Sequence, residues 1–157
     1  MSAHSRGRPS RSTAGGGVTE AYWHNLDLFL ALTGAATATS RLRLAAGLCL
    51  LTERDPIIVA KETATLDHLC GGRLIFGVGA GWNKEELANH GTDFHTRWEL
   101  LRERTAAVRT IWTHEQPECH GNFVDFGPDS FAPEADPTTA PTHRRWRERT
   151  QGDRALS

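Results

Sequence analysis

Between Asn25 and Ser40, the positions Leu28, Leu32, Ala35, Ala36 and Thr39 recur at helical spacing, so this segment predicts a helix with Asn25 placed to cap it. The pattern then changes. In RLRLAAGLCLL, residues 41–51, Leu42, Leu44, Ala46, Leu48 and Leu50 alternate with Arg41, Arg43, Ala45, Gly47 and Cys49. The first half shows strand alternation and the second is apolar on both sides, as in a strand entering a core. Asp55 and Pro56 then form a cap and first turn for a helix running to about Cys70, where Gly71 and Gly72 suit a C-terminal cap. RLIFGVG, residues 73–79, reads as a second strand, and NKEELANHG as a short helical turn. Thr92 or Asp93 is placed to cap a longer helix to about Thr113, with Leu101, Thr105, Val108 and Trp112 as its apolar stripe. ECHGNFVDF, residues 118–126, predicts a hairpin around His120–Asn122.

Strands alternating with helices imply an α/β fold built from parallel βαβ units. Only two such strands are visible, and two strands cannot close a sheet or cover both its faces. The pattern therefore implies part of a larger α/β domain. Its flanks differ in composition. Residues 1–17 carry a net charge of +3, residues 132–157 a net charge of +1, and the middle −5. Both ends are too poor in apolar residues to form a core. Residues 1–21 are thus expected to be a disordered tail and 132–157 a disordered or out-of-frame one, around a domain at 22–131.

The whole chain of 157 residues has a net charge of −1, which argues against nucleic-acid or membrane-surface binding. RRWRER, residues 144–149, is a candidate basic patch, but without a scaffold it reads as a solvated tail. No apolar run approaches the roughly 18–20 residues of a membrane span, and the N-terminus lacks the apolar stretch of a secretory signal. Cys49, Cys70 and Cys119 are odd in number and widely spaced, which implies reduced thiols and a cytoplasmic location. His24, His68, His90, His95 and His120 show no metal-ligand spacing, so no metal is expected.

The candidate chemistry lies in GVGAGW, residues 77–82, between a strand and a helix. Glycines there let a backbone approach a flat or phosphorylated ligand, or simply make a tight turn. The dinucleotide fingerprint needs glycine where Trp82 stands, which disfavours a small nucleotide-binding module.

Several pieces in order resemble the luciferase-like oxidoreductases, and within them the branch dependent on the deazaflavin coenzyme F420. They are the RLRL strand with a following glycine, RDP opening a helix, AKETATLDHLCGGR, GVGAGWNKEE and TIWTHEQPECHGNFVDF. The resemblance spans about residues 22–126. It implies a partial TIM (β/α)8 barrel in which residues 41–51 are strand three, 73–79 strand four and 118–126 an insertion before strand five. A full barrel takes about 250 residues, so the resemblance implies a truncated or frame-shifted fragment. Coenzyme F420 or FMN would be the cofactor, and a small molecule the substrate of the full-length parent. The chemistry would be hydride transfer or oxygen insertion on paired donors, with this chain alone inactive. The competing reading is a non-catalytic remnant or interaction module.

Barrel sites lie at strand C-termini. The resemblance makes Ala46, Gly47, Leu48 and Leu50 ring contacts, with a cis peptide at Gly47–Leu48, although ordinary packing competes for Leu50. It places Gly79, Ala80, Gly81 and Trp82 along the cofactor. Trp82 stands where some deazaflavin enzymes carry a carboxylate. Glu85, followed by Glu86, is within reach of the pocket, though acids also favour a solvated first helical turn. No catalytic residue is assigned, because the acid–base group of related enzymes would come from the early strands. Open strand edges further imply self-association.

Overall fold

A computed structural model describes residues 25–128. The expected tails at 1–21 and 132–157, the outer ends of the 22–131 domain, His24 and the basic patch at 144–149 lie outside the described residues.

Helix α1 covers Leu28–Ala38, and its cap is Asp27 rather than Asn25. Asp27 Oδ1 accepts from the Phe29 and Leu30 N–H groups, both at 3.0 Å, while its Oδ2 takes the Arg54 guanidinium at 3.0 Å. A carboxylate serving both partners outcompetes a neutral amide two residues earlier. Strand β1, Leu44–Leu50, leads through one 3-10 turn, Leu51–Glu53, into α2, Pro56–Leu69. Asp55 caps α2 as expected, accepting from Ile57 and Ile58 at 2.9 Å. Gly71 and Gly72 close it with φ of 62° and 74°, and the Gly72 N–H donates to Asp67 O at 2.9 Å.

Strand β2, Leu74–Gly79, is followed by α3, Lys84–Asn89, and α4, Arg97–Thr113. Neither Thr92 nor Asp93 caps α4. Asp93 Oδ1 accepts from the His95 N–H at 2.9 Å, and the Thr92 hydroxyl donates to Thr52 O at 2.6 Å, so both side chains are committed before the helix begins. The expected hairpin forms from β3, Cys119–His120, and β4, Asp125–Phe126. Glu103 on α4 holds it. Its carboxylate accepts from the N–H groups of Asn122 (3.2 Å), Phe123 (2.7 Å) and Val124 (2.6 Å).

β1 and β2 pair in parallel, as the alternation of strand and helix implies. Leu44, Ala45 and Ala46 oppose Leu74, Ile75 and Phe76, but the next pairs are Cys49 with Val78 and Leu50 with Gly79. β1 therefore carries one extra residue at Gly47–Leu48, a bulge. The bulge overturns the simple alternation read from the sequence. Leu44, Ala46 and then Cys49 face inward, while Leu48, 47% exposed, turns to the other side. Gly47–Leu48 is also not a cis peptide, for no peptide bond among the described residues is cis. The strand departs from regularity there by adding a residue while its bonds stay trans.

Only one face of this two-stranded sheet is covered among the described residues. α1 packs on β1, α2 on β2, and α4 on α2. The core joins Phe29, Leu44, Ala46, Cys49, Val59, Leu66, Phe76, Leu101, Val108 and Ile111. Phe76 meets the Phe29 ring at 6.2 Å and the Trp112 ring edge-on at 6.3 Å, while the Trp112 indole N–H donates to Ala60 O at 2.9 Å. The opposite face, with Ala45, Gly47 and Leu48, stays open.

Arg73 ties these layers together at the N-terminal end of β2. Its Nε donates to Cys70 O at 2.7 Å, Nη1 to Leu42 O at 2.6 Å and to Thr39 Oγ1 at 3.3 Å, and Nη2 to Thr39 O at 2.8 Å and Ala36 O at 3.2 Å. One planar cation thus closes the ends of α1 and α2 and the loop into β1. Arg73→Lys keeps the charge and loses the fork, so we expect a loss of about 2 kcal/mol in urea denaturation. Gly121→Ala places a Cβ against the Glu103 carboxylate. It should free the hairpin, seen as faster proteolysis at 119–126 with α4 still protected.

Candidate functional site

The C-terminal ends of β1 and β2 lie side by side and are stitched together by buried hydroxyls. The Thr52 hydroxyl donates to Ala80 O at 3.1 Å, and Thr92 in turn donates to Thr52 O. Arg104 reaches across from α4 and donates to Leu51 O at 3.0 Å and Arg54 O at 2.9 Å. Burial pulls the Arg104 guanidinium below its usual pKa, against the opposing pull of Asp55. The chain after β2 is therefore tied at Ala80 to the 3-10 turn after β1, which Arg104 holds in place.

Glycine shapes that backbone. Gly81 has a φ of 73°, a region that other residues rarely adopt. A Cβ there would lie 3.3 Å from Leu87 Cδ2 and 3.4 Å from Glu53 Oε1. On Gly79 a Cβ would press on Leu48 Cδ1 at 3.3 Å, so Leu48 lies across Gly79 on the open face of the sheet. Around Gly47 the space is open.

The structure sorts the expected residues into layers. Gly47, Leu48 and Gly79 lie on the open face, Gly81 and Trp82 follow the end of β2 with Trp82 65% exposed, and Leu50 is half-buried. Ala46 and Ala80 belong to the core, each 3% exposed, and have only backbone to offer a ligand. Glu85 is exposed on the first turn of α3, where Asn83 Oδ1 accepts its N–H at 3.2 Å.

Glu53 is the group that sequence reasoning missed. Its Oε1 is buried without a hydrogen-bond partner. Burial raises its pKa, the Glu86 charge raises it further, and His90 and Arg54 oppose the change. A carboxylate placed directly after an apolar strand end was the available signal. Asp27, by contrast, is held below its usual pKa by the Leu30 N–H and the Arg54 guanidinium. Among the described residues no cluster of three or more His, Cys, Asp or Glu is arranged to hold a metal. No helix among them is long and apolar enough to cross a membrane. A groove between α1 and α2, lined by Phe29, Leu30, Ile58, Lys61, Glu62 and Leu66, lies on the helix layer apart from the strand ends.

A family model described as luciferase-like monooxygenase matches residues 16–144. The uncharacterized protein Rv0953c of Mycobacterium tuberculosis is 48% identical over 107 residues, which are 68% of this chain and 38% of that protein. The chain thus spans well under half the length of that relative. Among solved structures, the coenzyme F420-dependent tetrahydromethanopterin reductase of Methanopyrus kandleri superposes with a TM-score of 0.60 at 27% identity, over 69% of this chain and 35% of that one. The oxygenating constituent of 3,6-diketocamphane monooxygenase of Pseudomonas putida, solved with FMN, superposes with the same TM-score of 0.60. At 24% identity over 67% of this chain and 33% of that one, it shows likeness of fold.

All three cysteines are free thiols, as expected. Burial pushes the Cys49 thiol up to about 11, and burial also raises that of Cys119. Cys49 and Cys70 are buried whereas Cys119 is half-exposed. Iodoacetamide at pH 8 should therefore label Cys119 in the native chain, and Cys49 and Cys70 only after unfolding, as read by peptide mass spectrometry.

Proposed function

The chain belongs to the luciferase-like monooxygenase family, and from that premise we propose that it carries strands three and four of a TIM (β/α)8 barrel and one wall of a flavin or deazaflavin site. The supporting observation is the glycine-lined open face at the two strand ends. Gly47 has open space before it, a Cβ at Gly79 or Gly81 would press on Leu48 or Leu87, and Leu48 adds an apolar edge. Those features fit a flat, mostly apolar ring.

In this reading Leu48 and the Gly79–Trp82 backbone hold one side of coenzyme F420 or FMN, Leu50 borders the ring, and Glu85 lies at the rim. The buried Thr52 and Thr92 hydroxyls keep the turn rigid, and Arg104 fixes its base. The bound group supplies the electron chemistry, hydride transfer with the deazaflavin or oxygen insertion with FMN. The substrate of a whole barrel would be a small molecule. The other wall of the ring and a phosphate-binding loop have no counterpart among the described residues. That favours a second reading, in which this chain by itself is a non-catalytic remnant.

Small-ligand sites bury about 70–90% of their ligand, and one wall falls short of that. We therefore expect no turnover from the chain alone and saturable but weak binding in fluorescence titrations with FMN and with F420. Gly81→Val, whose Cβ enters a left-handed position already crowded by Leu87, should abolish that binding with the far-UV circular dichroism unchanged. No saturable binding of either cofactor would overturn the one-wall reading. A dissociation constant at or below about 1 μM, roughly −8 kcal/mol, would overturn its incompleteness. The outer edges of β1 and β2 are unpaired among the described residues, so concentration-dependent self-association in sedimentation velocity is expected as well.

A further inference from the structure

Glu53 stands apart from the other acids built into this fold. The Glu103 carboxylate accepts three backbone N–H groups, and Asp67 Oδ1 accepts the Leu74 N–H at 3.2 Å. Asp27 has two N–H groups and a guanidinium. Glu53 Oε1 is buried with no donor, directly beneath the left-handed turn at Gly81. A group in that place is costly unless it has work there.

We infer that Glu53 is a positioning residue, seated under Gly81 and setting where the Gly79–Trp82 backbone presents itself to a ligand. This rests on the reading that the turn faces the cofactor. Position 81 demands glycine through its φ of 73° and the 3.3 Å approach of Leu87 Cδ2 to the place of a Cβ, with Glu53 Oε1 in van der Waals range of the same place at 3.4 Å. Burial and the Glu86 charge both favour the neutral form of Glu53 over the charged one. A neutral carboxyl tolerates a site without a donor far better than a charged one does. The charged groups around it are mixed. α3 brings Glu86, which opposes ionisation, and His90, which favours it when protonated. Arg54, next in the chain, favours ionisation but is engaged by Asp27 Oδ2, and Arg104 of α4 donates from Nη1 to the Leu51 and Arg54 carbonyls while its buried Nε has no partner.

The sign follows directly. With its pKa raised on folding, Glu53 binds a proton in the folded chain over a range in which the unfolded chain has lost it. Stability therefore falls as pH rises from the ordinary glutamate range through the folded pKa. In the same window the new charge, lacking a donor and repelled by Glu86, loosens the turn.

Trp82 reports on this, being exposed and next to Gly81. Tryptophan emission of the full chain is followed from pH 4 to pH 8.5, for the parent and for Glu53→Gln, His90→Gln and Trp82→Phe. The parent should show a transition above the ordinary glutamate range. That transition should vanish in Glu53→Gln and in Trp82→Phe, and persist in His90→Gln. At pH 8, Glu53→Gln should bind FMN or F420 about three- to tenfold more tightly than the parent, and equally at low pH. A transition surviving in Glu53→Gln, or none in the parent, overturns the inference. Should the variant fail to fold, carbon-13 NMR of the glutamate carboxyls in the unaltered chain decides, and Glu53 titrating with the exposed glutamates overturns it. A Glu53-dependent transition in a chain that binds neither cofactor upholds the positioning role and sinks the cofactor reading. Cofactor binding indifferent to Glu53→Gln at every pH does the reverse.

Discussion

The arrangement depends on one guanidinium. A parallel βαβ unit must return its chain across a helix and start a second strand beside the first, leaving several carbonyls at helix ends without partners. Arg73 collects them. Its five hydrogen bonds join Ala36 and Thr39 at the end of α1, Leu42 before β1 and Cys70 at the end of α2. Asp67 completes the joint from the other side, accepting the Leu74 N–H with its side chain and the Gly72 N–H with its carbonyl. With β2 started in this register, the positions of Phe76 under Trp112 and of Gly79 beside Leu50 follow.

At the other end of the sheet the governing feature is the bulge. Had β1 kept strict alternation, Leu48 would share the inward face with Leu44 and Ala46, and the open face would lack its apolar side chain. One extra residue reverses the phase, sends Cys49 into the core and lays Leu48 over Gly79. Gly79 leaves the room that Leu48 takes, and Gly81 makes the left-handed turn beyond it.

The fold was readable wherever a local pattern decided the structure. Helix α2 is bounded by Asp55, Pro56 and a glycine pair, and each acts only on its immediate neighbours. The parallel pairing, the hairpin and the stripe Leu101, Thr105 and Val108 follow equally from spacing. Failures came where a distant group decided. Asp27 took the cap of α1 because Arg54 lies beside it, and Thr92 missed the cap of α4 because Thr52 O claims its hydroxyl. The bulge is a property of two strands together, so no reading of β1 alone reveals it. Near the strand ends the glycine-rich turn is legible in the sequence, whereas the burial of Ala46 and Ala80 in the core and the place of Glu53 are not. Its meaning comes from Gly81, 28 residues away in the chain.

The hairpin after α4 carries little of its own security, with only two residue pairs in its ladder. Its hold comes from a helix surface: Glu103 grips three consecutive N–H groups of the turn, and Gly121 clears the approach. A backbone grip of this kind is blind to side chains. Asn122, Phe123 and Val124 are held by what every amino acid except proline possesses. The tip is in effect a cassette socketed into α4, whose outward residues are free to drift or be replaced by design, so long as the glutamate and the glycine are inherited as a pair.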